Sequence, residues 1–298
     1  MYFSPSSWVG VSAVLLSVVA SSPAHQSKVP APALQNPSPM TDTTRAHHRV
    51  PKSELAGTRH QLSVGTLFIP AGMRLQHAVP LVVHFHGDPW LAEYSAIHGR
   101  GKTAVLSVNL GAGSGVYRQA FEDPNRFSQL LDEATRLLNP EQPPSFHPLI
   151  ISSWSAGYGA IRQLLSDTST RNRIDGVVLA DGLHTGYVPD GAPGPLDNAL
   201  LEPFVEFARE AVAGHKCMVV THSEIFPGTF ASTTETADYL LKSIALQRHA
   251  LVRWGPLGMQ QLSEVNSGRF HLLGFAGNSA PDHIDQFHAL EHWLKRCD

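Results

Sequence analysis

The segment Pro148-Leu149-Ile150-Ile151-Ser152-Ser153-Trp154-Ser155-Ala156-Gly157-Tyr158-Gly159-Ala160-Ile161-Arg162-Gln163-Leu164-Leu165 limits what this chain can become more than any other stretch. It opens as a short apolar run, breaks on small residues, and resumes with Ile161, Leu164 and Leu165 at helical spacing. The reading is a buried strand, an abrupt turn with Ser155 at its apex, and a helix. A strand that is one continuous apolar run must be covered on both faces, which calls for helices on either side of a mostly parallel sheet.

The rest of the chain repeats this rhythm. Gln61 to Ile69 alternates as an early strand and closes at Pro70-Ala71-Gly72. Val79 to Phe85 stops at His86-Gly87, and Thr103 to Leu110 stops in the glycine-rich Gly111-Ala112-Gly113-Ser114-Gly115. Phe127, Leu130, Leu131, Ala134, Leu137 and Leu138 predict an amphipathic helix over Arg126 to Asn139. Ile174 to Ala180 reads as a strand ending at Asp181-Gly182. Leu196 to Ala213 reads as helix, and Lys216 to Thr221 as a strand ending at His222-Ser223-Glu224. Thr233-Thr234-Glu235 opens a helix towards Gln247. Arg269 to Phe275 is the last expected strand, followed by a loop over Asn278 to His283 and a final helix over Ile284 to Arg296.

In open α/β sheets the ligand sits at the carboxyl ends of the strands. His86, Ser155, Asp181, Glu224 and His283 each fall just after such an end, so five polar groups from distant sequence are expected on one rim. The turn at Ser155 is close to the Gly-x-Ser-x-Gly elbow, with Ser153 in place of the first glycine. That geometry exposes a hydroxyl above the sheet and leaves the following N–H free to bind an oxyanion.

On the Ser155 elbow, the His86-Gly87 strand end and the late histidine, the chain from about Leu62 onward resembles serine esterases of the α/β-hydrolase fold. Within that superfamily it is similar in flavour to compact secreted esterases and polyester depolymerases. The order Ser, acid, His along the chain is that family's order. The resemblance implies Ser155 as nucleophile and His283 as its base, because a serine hydroxyl needs a neighbouring group to take its proton. Asp181 is the first candidate for the acid that orients the histidine, and Glu224 the alternative. Ala156 and either Gly87 or Asp88 are the expected oxyanion donors. No cofactor is implied. His271, His288 and His292 are weaker candidates for the base, lying within a strand or the final helix.

Trp90, Trp154 and Tyr158 are candidate substrate contacts at the strand ends, with Tyr94, His184 and Tyr187 beside them. A rival chemistry is metal-dependent hydrolysis through His84, His86 and Asp88, whose His-x-His-x-Asp spacing follows a strand. A third reading is a binding module on a hydrolase scaffold without activity.

With 42% hydrophobic and 16% charged residues over 298, the chain has ample material for a core. A formal charge of -3 and the lack of a Lys/Arg cluster exclude nucleic acid as an expected partner. An apolar run from Trp8 to Ala20 ending in Ser22-Pro23-Ala24 predicts a cleavable export signal over residues 1–24, too short to span a membrane. The expectation is thus a secreted or periplasmic protein with no integral membrane segment after processing. Residues 25–51, rich in Pro, Ser, Gln and Thr, are expected as a disordered linker before a domain over 52–298. In an exported chain the pair Cys217 and Cys297 is a candidate disulfide. Given the fold that the resemblance implies, both cysteines fall at the end of the sheet opposite the rim.

Overall fold

The computed structural model describes residues 45–75 and 77–298; the expected export signal and the linker as far as residue 44 lie outside the described residues. In chain order the elements are β1 (Gly57–Gln61), β2 (Thr66–Pro70), β3 (Ala78–Phe85), α1 (Pro89–Arg100), β4 (Ala104–Val108), α2 (Ser114–Ala120), α3 (Arg126–Leu138), β5 (Ser145–Trp154), α4 (Tyr158–Ser166), α5 (Thr168–Arg173) and β6 (Gly176–Ala180). They continue with α6 (Glu202–Val212), β7 (Cys217–His222), α7 (Thr233–Ser243), β8 (His249–Trp254), β9 (Gln260–Ser267), β10 (Phe270–Phe275), α8 (Ala280–His288) and α9 (Leu290–Leu294).

All the strands join one sheet in the order β1-β2-β4-β3-β5-β6-β7-β10-β9-β8. The run from β4 to β10 is parallel throughout, with antiparallel pairs only towards the two edges. This is the α/β-hydrolase fold that the sequence implied, an open sheet and not a closed barrel.

Alternation along the strands builds the two layers. Leu81, Val83 and Phe85 of β3 enter a core shared with α2, α3, α4, α6 and α7, while Val82 enters a second core made with α1, α8 and α9. β6 divides the same way, Val177 and Leu179 to the first core and Val178 and Ala180 to the second. Cys217 and Cys297 both belong to the second core and are disulfide-bonded, Cα to Cα 5.5 Å. The bond ties the carboxyl-terminal end of the chain to the start of β7.

The helix expected over Leu196 to Ala213 begins only at Glu202, with Leu196 bridged to Tyr187. Three further departures from the sequence reading have plain causes. The early strand is a hairpin, β1 and β2, because Gly65 at φ 79 lets Leu62 N donate to the Gly65 carbonyl and close a turn inside the alternating run. The final helix begins earlier and breaks in two. Ser279 and Asp282 form a capping box, so the helix starts at Ala280 and His283 stands in its first turn, not in the preceding loop. β8 and β9 are strands the sequence reading does not include: β8 is mostly exposed, with Val252 and Trp254 each 74% exposed, and gives no core-strand signal.

Among the described residues, no helix is long and apolar enough to cross a membrane.

Candidate active site

Three residues just beyond parallel strands adopt a left-handed backbone: His86 after β3 at φ 71, Ser155 after β5 at φ 47 and Asp181 after β6 at φ 45. Each such conformation costs a non-glycine residue on the order of 1–3 kcal/mol and persists where surrounding structure enforces it. The enforcement is visible in the glycines. A methyl group on Gly157 would strike the carbonyl of Phe85, so the elbow lies directly against the end of β3. One on Gly182 would lie 2.9 Å from both the N and the O of Ser155, so the turn after Asp181 is moulded to the serine backbone.

Asp181 is buried, 1% exposed, and its carboxylate is saturated. Oδ1 accepts from Ser223 N at 2.9 Å and Thr233 Oγ1 at 2.7 Å; Oδ2 accepts from Ser223 Oγ at 2.7 Å and from His283 Nδ1 at 2.7 Å. Burial alone would raise its pKa, but the hydrogen bond and charge of His283 together with the Thr233 and Ser223 hydroxyls outweigh it and hold the carboxyl well below its ordinary value. With Nδ1 donating to Asp181, the lone pair of His283 is on Nε2, the tautomer a general base requires.

Glu224 lies elsewhere. It is exposed, and Oε2 accepts from Gly277 N at 3.3 Å while Glu224 N donates to the Gly277 carbonyl. It fastens the loop after β10 and makes no bond to His283. Ser155 is half-buried, with its neighbour Trp154 tied to His283 by an indole Nε1–H that donates to the His283 carbonyl at 2.9 Å. His271 pairs with Asn266, His288 accepts from Val50 N, and His292 lies beside Glu291.

The expected oxyanion donors Gly87 and Asp88 lie at the β3 exit. Gly87 at φ 111 turns the chain after His86, and a side chain there would strike the ring of Phe287 on α8. Among the described residues, no protein acceptor takes the N–H of Gly87 or Asp88. His86 is held by Tyr117, Nδ1 to Oη 2.9 Å, and stacks on Trp154 with ring centres 5.2 Å apart. Burial, and then the charge of His283, push its pKa down.

The candidate contacts divide. Trp154 is packed between His86 and Phe287, centre distances 5.2 and 5.3 Å, which makes it a support of the rim. Trp90 packs on Tyr94 and His288. Tyr158 donates to Ser114 Oγ at 3.2 Å and faces His184 at 5.6 Å; His184 in turn faces Phe230 at 5.1 Å, and Phe230 is 41% exposed. Tyr187 donates to Glu235, and its burial, then the hydrogen bond and charge of Glu235, raise the phenol pKa to about 12.

The residues of the metal reading do not converge as ligands. His84 is buried inside the sheet with both ring nitrogens engaged, Nδ1 with Ser152 Oγ and Nε2 with the His86 carbonyl, each at 2.8 Å. Burial brings its pKa down to about 3. Asp88 is exposed beside Lys52, 3.7 Å away. One other group of potential ligands, His47, Asp282 and Asp285, carries the guanidinium of Arg45 across its two carboxylates.

Two features of the site gave no sequence signal. The donors to Asp181, Ser223 and Thr233, are ordinary small polar residues in sequence, and Trp154 reads as a pocket residue until its bond to His283 is seen.

No protein-family model matches the chain, and no curated protein does. Solved structures do resemble it. A puromycin-hydrolyzing peptidase of Mycobacterium tuberculosis is 13% identical with TM-score 0.44 over 80% of this chain, which spans only 39% of that longer protein. An S-formylglutathione hydrolase of Agrobacterium tumefaciens is 12% identical with TM-score 0.44, covering 83% of this chain and 98% of the other. The BES protein of Bacillus cereus is 11% identical with TM-score 0.49, covering 84% and 97%.

Proposed function

We propose that this protein is an exported serine hydrolase that cleaves a carboxylic ester through an acyl-enzyme on Ser155, with His283 as base and Asp181 as orienting acid. The observation that carries the reading is the 2.7 Å bond from His283 Nδ1 to a saturated, buried Asp181 carboxylate, with Ser155 in the left-handed elbow conformation and its backbone against Gly182, the residue after Asp181.

In the first half-reaction Ser155 Oγ attacks the ester carbonyl carbon while its proton passes to His283 Nε2, and the carbonyl π pair moves onto oxygen. That oxyanion accepts hydrogen bonds from Ala156 N–H and from Gly87 or Asp88 N–H. The pair then returns, the C–O bond to the alcohol breaks, and His283 gives its proton to the leaving oxygen. Water repeats the sequence on the acyl-enzyme and frees the acid. Asp181 stays ionised throughout and stabilises the imidazolium that forms twice per turnover. His184, Tyr158 and Phe230 are the aromatic wall for the acyl or alcohol group of a small-molecule or polymeric ester.

Export is supported by residues 1–24 and by the Cys217–Cys297 bond, since disulfides persist in oxidising compartments. Hydrolysis of a short-chain aryl ester by the full chain, with and without chelator, tests the reading. Turnover that survives chelator and vanishes in Ser155→Ala is expected; turnover retained in Ser155→Ala overturns it.

A further inference from the structure

The helix that bears His283 is fastened from outside its own part of the sequence. Asp282 and Asp285 flank His283 on α8, and both meet a basic segment more than two hundred residues earlier in the chain. Arg45 Nη2 reaches Asp282 Oδ1 at 2.5 Å and Asp285 Oδ2 at 2.6 Å, bridging the two carboxylates across the histidine between them. His47 Nδ1 adds a second contact to Asp285 Oδ2 at 2.7 Å, and Arg49 Nε a third, to Oδ1 at 3.3 Å. Val50 N then donates to His288 Nδ1 at 3.1 Å, so the segment follows α8 from its first turn to its last.

The burial of Asp285 makes this more than a surface decoration. Its side chain is 0% exposed, and among the described residues every side-chain partner of its carboxylate comes from Arg45, His47 and Arg49. A buried carboxylate stripped of its partners is strongly unfavourable, and the local remedy is for its helix to move towards water. Asp282 is shared: its other oxygen closes the capping box with Ser279, and Arg45 takes the oxygen left over. Movement of α8 would carry two parts of the site with it. One is His283. The other is Phe287, whose ring fills the space against Gly87 and stacks on His84 at 5.1 Å and on Trp154 at 5.3 Å, beneath the expected oxyanion donors.

We infer that residues 45–50 are a positioning strap for the His283 helix, with Arg45 as its principal residue, acting on the reaction through Asp282 and Asp285 without touching substrate. The inference rests on the reading of His283 as the catalytic base. It also gives a task to a stretch whose composition reads as linker: the chain immediately before the domain completes the site.

The test uses the full-length chain as Arg45→Ala, Arg45→Lys and Arg45→Ala with Asp285→Asn, followed by aryl ester kinetics and by hydrogen exchange resolved to peptides. Arg45→Ala is expected to lose at least about tenfold in kcat while KM changes less than about twofold, and to exchange faster over residues 280–288 than over β5 and β6. Arg45→Lys should recover part of the loss. Neutralising the buried carboxylate in the double variant should restore both kcat and protection, because the pair is coupled. Wild-type kcat and unchanged α8 protection in Arg45→Ala overturn the strap, as does a loss of protection spread evenly over the sheet. Should the wild-type chain hydrolyse no ester, the functional reading fails while the exchange data still decide the strap.

Discussion

Trp154 and His283 are joined across the site: the indole of the residue before Ser155 donates to the backbone carbonyl of His283 at 2.9 Å, with the two rings 4.9 Å apart. The elbow and the α8 helix therefore cannot drift independently. Trp154→Phe keeps an aromatic ring against His86 and Phe287 but removes the donor. A lost hydrogen bond of about 1 kcal/mol, felt in the alignment of base and nucleophile, corresponds to a kcat reduced by about fivefold to tenfold with KM little changed. Steady-state kinetics on an aryl ester check this; a pure KM effect would mean that Trp154 meets substrate instead.

The two acids divide cleanly. Asp181→Asn leaves the volume but replaces the carboxylate that fixes the His283 tautomer with an amide that can donate instead, and kcat should fall by about 10⁴-fold. Glu224→Gln leaves the Gly277 contacts in reach and should stay within about twofold of the parent. Equal losses in the two variants would contradict the assignment.

Gly157 and Gly115 form a matched pair. A methyl on Gly157 collides with the Phe85 carbonyl, whereas nothing lies within 4 Å of one on Gly115. Gly157→Ala should cost about 1–3 kcal/mol in denaturant unfolding and depress kcat as the elbow is pushed off β3. Gly115→Ala, within α2, should be neutral or slightly stabilising.

Two histidines fold in the neutral form. Burial brings His84 to about 3, and burial with the Arg248 guanidinium 2.7 Å from Nε2 brings His222 to about 3. Both pKa values are lower than in the unfolded chain, where histidine titrates near 6.5. Between about 3 and 6.5 the unfolded chain therefore binds more protons, and stability drops as pH falls through that window while it is fully present above it. Asp181, also depressed, adds its loss only below the ordinary carboxylate range. Thermal melts from pH 7.5 to 5 should show a falling Tm; a flat profile would contradict the neutral buried histidines.

Much of this arrangement was legible in the sequence because apolar runs ending at polar residues mark the carboxyl rim directly. Ser155, Asp181 and the β3 exit follow from that signal together with the elbow motif, and the cysteine pair reads in sequence as a candidate disulfide that the structure forms. What could not be read depends on packing. The sequence ranks Asp181 ahead of Glu224 without separating them; the His283 bond and the Ser223 and Thr233 donors, all made to Asp181, depend on packing. The start of α8 is hidden because Pro281 reads as a loop residue although the first turn of a helix accepts it. Arg45, His47 and Arg49 sit in a composition that promises no structure, and their partners lie at the far end of the chain.

The most direct measurement is covalent labelling with a fluorophosphonate probe, mapped by mass spectrometry. A single adduct on Ser155, absent from Ser155→Ala and strongly slowed in Asp181→Asn, is the predicted result. No adduct on Ser155 in a chain that hydrolyses esters would contradict the account.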